Sequence, residues 1–231
     1  QVSSFHLDLA VDFTSKTLKG FIDIKAKAVG EASALTLDTK DLKISKIEDS
    51  KGNPLKYNLG ESGEPFGTKL DIALGQPVSA GSIIEAKIFY ETSPNSSAIQ
   101  WLPPSNTAGK KHPYLFTQCQ AIHARSMFPC QDSPGIKSTY TARISVPDPL
   151  VALMSAQRSN KGEKAGDGIV YNFNQPVPTP SYLVALVVGF LEERKIGPRS
   201  SVWSEPEMVD AGAFEFADTE QYIKTGESIV G

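Results

Sequence analysis

The stretch TQCQAIHARSMFPCQDSPGIKSTY, residues 117–140, decides how the rest of the chain is interpreted. It contains both cysteines of the chain, Cys119 and Cys130, and its apolar residues follow neither the period of a strand nor that of a helix. Pro129 and Pro134 each fix φ at about −65° and remove an amide donor, so the sequence between them favours a rigid corner. Irregular segments held by a scaffold often carry binding residues, and this stretch is therefore a candidate site.

Three charged residues, Arg125, Asp132 and Lys137, lie near that corner. An ionised side chain that is buried away from water needs a partner of opposite charge. We therefore predict that these three side chains form a partly buried ion-pair cluster, the ion-pair knot, which holds a loop between two sheets.

Two amide side chains, those of Gln118 and Gln120, lie at the start of the stretch. In a strand, residues two apart share a face, and each amide offers a carbonyl acceptor and an NH₂ donor to a ligand above the sheet edge. The alternative is that both amides are solvated or bonded to a sheet edge.

Several segments carry a resemblance to a known family: 117–140 itself, SAIQWLPP at 97–104, YLFTQCQAIHAR at 114–125, VALMSA at 151–156 and IGPRSSVWSEPE at 196–207. They resemble the N-terminal domain of the gluzincin zinc aminopeptidase family, in its leukotriene A(4) hydrolase branch with fungal-type members. The family's zinc motif H-E-x-x-H and its G-x-M-E-N loop do not occur in these residues. The resemblance implies the N-terminal domain of a zinc metallo-aminopeptidase, with zinc in a catalytic domain that follows. The chain alone is then expected to be inactive and to hold no cofactor.

The resemblance also assigns substrate-binding roles to Gln118, Cys119, Gln120 and Ala121. Gln120 would hold the amino end of the substrate. Many aminopeptidases of the family have Glu at this position, whereas the leukotriene A(4) hydrolase branch has Gln. Compared with Glu, the uncharged amide of Gln should bind a substrate amine less tightly, and it is compatible with a lipid epoxide as substrate. The implied partners are the chain's own catalytic domain, peptides with a free amino end and, as a further candidate substrate, a lipid epoxide.

Three alternatives compete with this interpretation. The chain could be a free-standing β-sandwich that binds or scaffolds without catalysis. Cys119 and His123 could form a nucleophile pair, but four residues along a strand separate them by about 13 Å. Cys119, His123 and Cys130 could bind a metal, but structural zinc takes four ligands and their spacing fits no standard zinc motif. We expect no metal site in the chain.

Composition narrows the function classes. The net charge is −3 with both signs mixed along the chain, so no basic stripe suggests nucleic acid as a partner. The longest apolar run, 182–191, is about half the length of a membrane-spanning helix. Two cysteines in 231 residues are typical of reduced thiols in a cytoplasmic protein, with the nucleus as a second location. The sequon at 95–97 is the one feature that favours secretion.

The rest of the chain predicts an all-β domain. Alternation of apolar and polar residues indicates a strand at 5–13. Further strands are predicted at 18–29, 35–38, 42–48, 55–58, 70–74, 83–90, 139–146, 151–156, 169–174, 182–192 and 200–203. Such regularly spaced short strands favour a large saddle-like sandwich of mixed strands over residues 1–203.

The pattern changes to that of helices at residues 204–231, which we predict to begin the next domain. Ser204 with Glu207 fits a capping box, and Asp218 with Gln221 fits a weaker one. An apolar stripe then follows at helical spacing, made of Tyr222, Ile223, Ile229 and Val230. We expect this stripe to pack against something beyond the sandwich.

Overall fold

A computed structural model describes all of residues 1–231. The strands are β1 (Val2–Asp12), β2 (Thr17–Lys27), β3 (Ala32–Thr39), β4 (Lys43–Glu48), β5 (Tyr57–Leu59), β6 (Thr68–Val78), β7 (Ile83–Glu91), β8 (Ile99–Leu102), β9 (Tyr114–Thr117), β10 (Lys137–Pro147), β11 (Val151–Met154), β12 (Gln157–Arg158), β13 (Glu163–Ala165), β14 (Gly168–Pro180), β15 (Leu186–Gly189), β16 (Glu192–Lys195) and β17 (Ser201–Ser204). Two α-helices follow, α1 (Val209–Glu215) and α2 (Thr219–Val230). Short 3₁₀ turns lie at Pro104–Asn106, Ala124–Ser126 and Ser181–Leu183. The all-β prediction is confirmed.

The largest sheet has eight strands in the order β12-β14-β10-β1-β2-β7-β4, with β13 paired to β14. Its strands are antiparallel except for β1 and β10, which run parallel. Alternate residues of β1 face inward, and Leu7 and Leu9 are fully buried there. The period-two pattern of the sequence therefore marks the inner face of this sheet correctly.

Three smaller sheets complete the fold. Four strands pair in the order β11-β15-β9-β8, three in the order β3-β6-β5, and β16 pairs with β17. The buried side chains of the eight-, four- and three-stranded sheets form one continuous hydrophobic core. No helix is long and apolar enough to cross a membrane.

The stretch 117–140 connects all three of the sheets that share the core. It leaves the four-stranded sheet at the end of β9 and enters the eight-stranded sheet at β10. Between them, Cys130 forms a β-bridge with Asp38 of β3, in the three-stranded sheet. The core-forming sheets are thus joined through the segment that the sequence singles out.

Some predicted elements were wrong. The single strand expected at 182–192 is a 3₁₀ turn followed by β15 and the start of β16, because the chain changes sheets there. The short strands β8 and β9 were not predicted at all.

The predicted helix caps were also wrong. Helix α1 starts after Met208, and no side chain caps either helix. Asp218 does occupy the N-cap position of α2, but its carboxylate makes no capping hydrogen bond. Glu205 instead accepts the backbone N–H groups of Ala108 and Gly109, at 2.9 and 3.4 Å, because it faces the loop before β9.

The two helices lie against the β16–β17 hairpin. Arg194 of β16 pairs with Asp210 of α1 at 2.6 Å, and Arg199 pairs with Glu227 of α2 at 2.7 Å. Most of the apolar stripe of α2 does not take part in this packing, because Tyr222, Ile229 and Val230 are 72%, 75% and 83% exposed, whereas Ile223 is half-buried. The boundary at 203/204 stays a prediction.

Candidate functional site

The predicted substrate-binding residues form a tight turn beyond the end of β9, which we call the glutamine turn (residues 118–121). The amide of Gln118 donates to the carbonyl oxygen of Ala98 at 2.8 Å, and the chain then turns so that the amide of His123 donates to the carbonyl of Cys119 at 2.8 Å. The peptide bond between Gln120 and Ala121 is cis.

The expected strand does not extend to the two glutamines. Strand β9 ends at Thr117, so Gln118 and Gln120 do not share a strand face. Both residues and Ala121 are nevertheless exposed, and neither side-chain amide makes a hydrogen bond within the chain. The turn thus presents two free amides from a fixed backbone.

Cys119 points inward rather than outward. Its side chain is buried, and burial together with the nearby carboxylate of Asp132 raises the pKa of its thiol to about 12. The turn brings His123 back toward Cys119, so the separation expected along a strand no longer argues against a nucleophile pair. The thiol of Cys119 nevertheless stays neutral near pH 7, which argues against that pair. The ring of His123 is engaged elsewhere, with Nδ1 2.8 Å from Oγ of Ser97. Cys119 therefore anchors the turn.

The predicted pairing of Arg125 with Asp132 is present and buried. Arg125 Nε donates to Asp132 Oδ2 at 2.9 Å, and the two side chains are 7% and 1% exposed. The guanidinium also donates to the carbonyl of Phe66 at 2.7 Å, and the hydroxyl of Ser181 donates to the other carboxylate oxygen of Asp132 at 2.6 Å. Every nitrogen of the guanidinium and both carboxylate oxygens therefore have a hydrogen-bond partner, which favours a stable buried pair.

The third predicted member of the knot, Lys137, is not part of it. Lys137 is exposed at the first position of β10 and makes no ion pair, because the alternation of that strand turns its neighbour Ser138 inward instead. The third charged residue next to the pair is Asp38 instead. Its Oδ2 accepts a hydrogen bond from the backbone amide of Asp132 at 2.9 Å. Asp38 lies 94 residues away in sequence, so no local pattern indicated it.

The two prolines of the corner have different surroundings. Pro129 is buried next to Cys130, whose backbone exchanges hydrogen bonds of 2.7 and 3.2 Å with Asp38. Pro134 is exposed in a turn closed by the amide of Ile136 and the carbonyl of Ser133 at 3.0 Å.

Both thiols of the chain are free and buried. Burial raises the pKa of Cys130 well above its ordinary value, and the carboxylates of Asp132 and Asp38 raise it further.

The residues of this chain do not fit a zinc ion. No group of three or more His, Cys, Asp or Glu side chains is arranged to hold a metal. In particular, Cys119, His123 and Cys130 do not form such a group, and a zinc site needs at least three protein ligands.

A cleft of about 610 Å³ lies elsewhere, on the exposed face of the eight-stranded sheet. None of the predicted site residues lines it. Its lysines are already paired, Lys25 with Glu85 at 3.0 Å and Lys87 with Asp23 at 3.4 Å. We therefore place the candidate site at the glutamine turn, where the polar groups are unpaired.

Sequence reasoning missed the exposed apolar side chains on β9 and at the two ends of β15. Phe116, Leu183 and Phe190 are large apolar side chains that are at least one third exposed. Phe116 lies on β9, paired to Val187 of β15. The available signal was the short apolar run 114–116, which is too brief to separate from a loop by period alone.

Comparison with known proteins gives consistent results. The family model described as the Peptidase M1 N-terminal domain matches residues 1–183. The chain is 45% identical over 233 residues to leukotriene A-4 hydrolase of Xenopus laevis, covering 100% of this chain and 38% of that protein. It is 42% identical over 222 residues to leucine aminopeptidase 2 of Aspergillus niger, covering 94% of this chain and 36% of that protein.

Solved structures resemble the fold as well. Native yeast LTA4 hydrolase matches with a TM-score of 0.89 and 35% identity, over 99% of this chain and 35% of that one. An M1 zinc metallopeptidase from Deinococcus radiodurans matches with a TM-score of 0.70 at 23% identity, which shows the fold alone. The chain thus spans less than two fifths of the length of the curated relatives, at 38% and 36%.

Proposed function

The chain belongs to the Peptidase M1 N-terminal domain family, and from that premise we propose the function of the glutamine turn. The chain is the N-terminal domain of a zinc-dependent aminopeptidase resembling leukotriene A(4) hydrolase. In the longer protein, the glutamine turn binds the amino end of a peptide substrate.

The observation that carries this proposal is the pair of free amides on an anchored backbone. Gln118 and Gln120 are exposed and make no side-chain hydrogen bond, while Cys119 between them is buried. A preorganised turn of this kind can bind a ligand without first giving up contacts of its own.

The chemistry of the amide suits an amino end. The side-chain carbonyl of Gln120 can accept an N–H of the substrate's α-ammonium, and its NH₂ can donate to a substrate carbonyl. A hydrogen bond to a charged group is worth about 1.5 to 3 kcal/mol, which is enough to orient a short peptide. The absence of a carboxylate leaves the same position compatible with an uncharged lipid epoxide.

Zinc belongs to the rest of the longer protein in this proposal, because the residues of this chain do not fit it. There the metal would supply an activated water for hydrolysis. This chain contributes the wall of the site that orients the substrate. The exposed apolar side chain of Phe116 and the exposed stripe of α2 would face the catalytic domain. The whole protein would act in the cytoplasm, with the nucleus as a second location.

Gln120→Ala in the full-length protein tests the role of the turn. We expect kcat/KM for peptides to fall by about 10- to 1000-fold, because the charge-assisted hydrogen bond is lost and the substrate shifts out of line. The melting temperature should stay unchanged, since the amide has no partner in the chain. Gln76→Ala is the matched control, because Gln76 is an equally exposed glutamine in the three-stranded sheet. Unchanged peptide turnover in Gln120→Ala would remove the proposed role.

Gln120→Glu is the complementary change. A carboxylate attracts an ammonium more strongly than an amide does, so KM for peptides with a free amino end should fall. Turnover of any lipid epoxide whose apolar or anionic end occupies the position should drop. The measurement is kcat/KM for the peptide and for the epoxide on one preparation of each protein. If the ratio of the two values is the same in Gln120→Glu as in the unmodified protein, Gln120 does not lie at the substrate's amino end.

A further inference from the structure

A single residue, Ala98, holds both ends of the segment that carries the glutamine turn. Its carbonyl oxygen accepts the amide of Gln118 at 2.8 Å, at the start of the turn. Its own amide donates to the hydroxyl oxygen of Ser126 at 3.1 Å, at the end of the 3₁₀ turn that follows. Ala98 is itself fully buried just before β8.

The hydroxyl of Ser126 is the centre of this clamp. It donates to the carbonyl oxygen of His123 at 2.8 Å, which ties it to the residues directly after the turn. Because it accepts from Ala98 at the same time, one hydroxyl joins the turn to the strand beside it. The side chain is fully buried, so water does not replace either bond.

Two further serines surround this hydroxyl. Oγ of Ser96 lies 2.9 Å from both the carbonyl oxygen and the hydroxyl oxygen of Ser126. Ser97 lies 3.2 Å from the Ser126 hydroxyl and 2.8 Å from Nδ1 of His123. We call Ser96, Ser97 and Ser126 the serine clamp. Most of its hydrogen bonds run between the segment before β8 and the residues that follow the glutamine turn.

We propose that Ser126 is a positioning residue for substrate binding, acting through the glutamine turn. The amides of Gln118 and Gln120 have no side-chain partners, so their position depends on the backbone that the serine clamp fixes. The inference rests on the proposed function of the turn. It adds a residue that contacts no substrate and yet sets where the substrate's amino end lies.

The test uses Ser126→Ala in the full-length protein, with hydrogen exchange and kinetics measured on the same sample. We expect amide exchange of Gln118 and His123 to accelerate by about 10-fold, because the carbonyl of His123 loses its donor and Ala98, which accepts the Gln118 amide, loses the acceptor of its own amide. KM for a peptide with a free amino end should rise by about 3- to 10-fold with little change in kcat, because the loss is one of binding. Ser138→Ala is the control, since Ser138 is a buried serine bonded to Val2 in the eight-stranded sheet.

A double-mutant cycle separates positioning from general stability. If Ser126 acts through the turn, its replacement should raise KM by less than about twofold once Gln120 is already alanine. Additive effects of the two changes would overturn the inference, and so would unchanged exchange and KM in Ser126→Ala. If Gln120→Ala alone has normal kinetics, the proposed function fails and this inference fails with it.

Should Ser126→Ala fold poorly, Ser97→Ala provides the same test at an exposed position. It removes the hydroxyl that bridges the ring of His123 and the hydroxyl of Ser126, while the direct hydrogen bond from Ser126 to the carbonyl of His123 stays in place. KM should rise in the same direction by a smaller factor, and an unchanged KM would overturn the inference.

Discussion

At the scale of single residues, the buried pair of Arg125 and Asp132 matters most for stability. Asp132→Ala leaves a guanidinium that is 7% exposed without its carboxylate, so the free energy of unfolding should fall by about 3 to 5 kcal/mol. Denaturant titration of the chain measures this. Lys137→Ala is the control and should cost less than about 0.5 kcal/mol, because Lys137 is exposed and unpaired. If both variants lose the same free energy of unfolding, Lys137 belongs to the ion-pair knot.

The cysteines give a second prediction at this scale. Both thiols are buried and their pKa values are raised, so they should react with a thiol reagent slowly in the native protein. After unfolding without reductant, two thiols per chain should titrate. A count of zero would mean that Cys119 and Cys130 form a disulfide and that the protein matures in an oxidising compartment.

At the scale of elements, the sequence was most informative where strands are long. The alternation over 5–13 predicted β1 and its inner face, because each second residue contacts the same core. The four-residue strands β8 and β9 could not be predicted, since so few residues establish no period. Their pairing is also what ends β9 at Thr117 and produces the glutamine turn. Residue types therefore suggested the site, but its shape depends on contacts distant in sequence.

The serine clamp illustrates the same limit. Ser96 and Ser97 lie in a polar loop that was notable only as a sequon, and Ser126 lies 29 or more residues away. Nothing local to either segment indicates that they meet. The capping box at Ser204 and Glu207 failed for the opposite reason, because the local pattern was present but Ser204 ends β17 and α1 begins only after Met208.

Helix α2 gives the prediction that belongs to this scale. Tyr222, Ile229 and Val230 of its apolar stripe are exposed, and burying each of these side chains would stabilise the helix by about 1.5 to 3 kcal/mol. The helix therefore lacks its main source of stability in residues 1–231 alone. Hydrogen exchange at 219–230 should be much faster than in the strands of the chain by itself, and slower in the full-length protein. If residues 219–230 of the dilute monomer exchange as slowly as the strands do, the helix needs no partner beyond this chain.

At the scale of the whole molecule, the irregular stretch 117–140 serves both the fold and the site. It joins the three sheets that share one core, and it carries the glutamine turn directly after β9. The buried Arg125–Asp132 pair and the serine clamp both hold the middle of this stretch, at the neighbouring residues Arg125 and Ser126. In the proposed function, a turn fixed in this way would need little reorganisation on binding substrate.

The division of labour between this domain and the rest of the protein is the central claim, and zinc content with aminopeptidase activity tests it most directly. Full-length protein and residues 1–231, purified in parallel, should be compared by elemental analysis and by hydrolysis of an aminoacyl substrate. We expect about one zinc per chain and measurable hydrolysis for the full-length protein, and neither for residues 1–231, whose side chains form no metal site. A tightly held zinc in residues 1–231, or a full-length protein without zinc and without hydrolysis, would contradict the central claim.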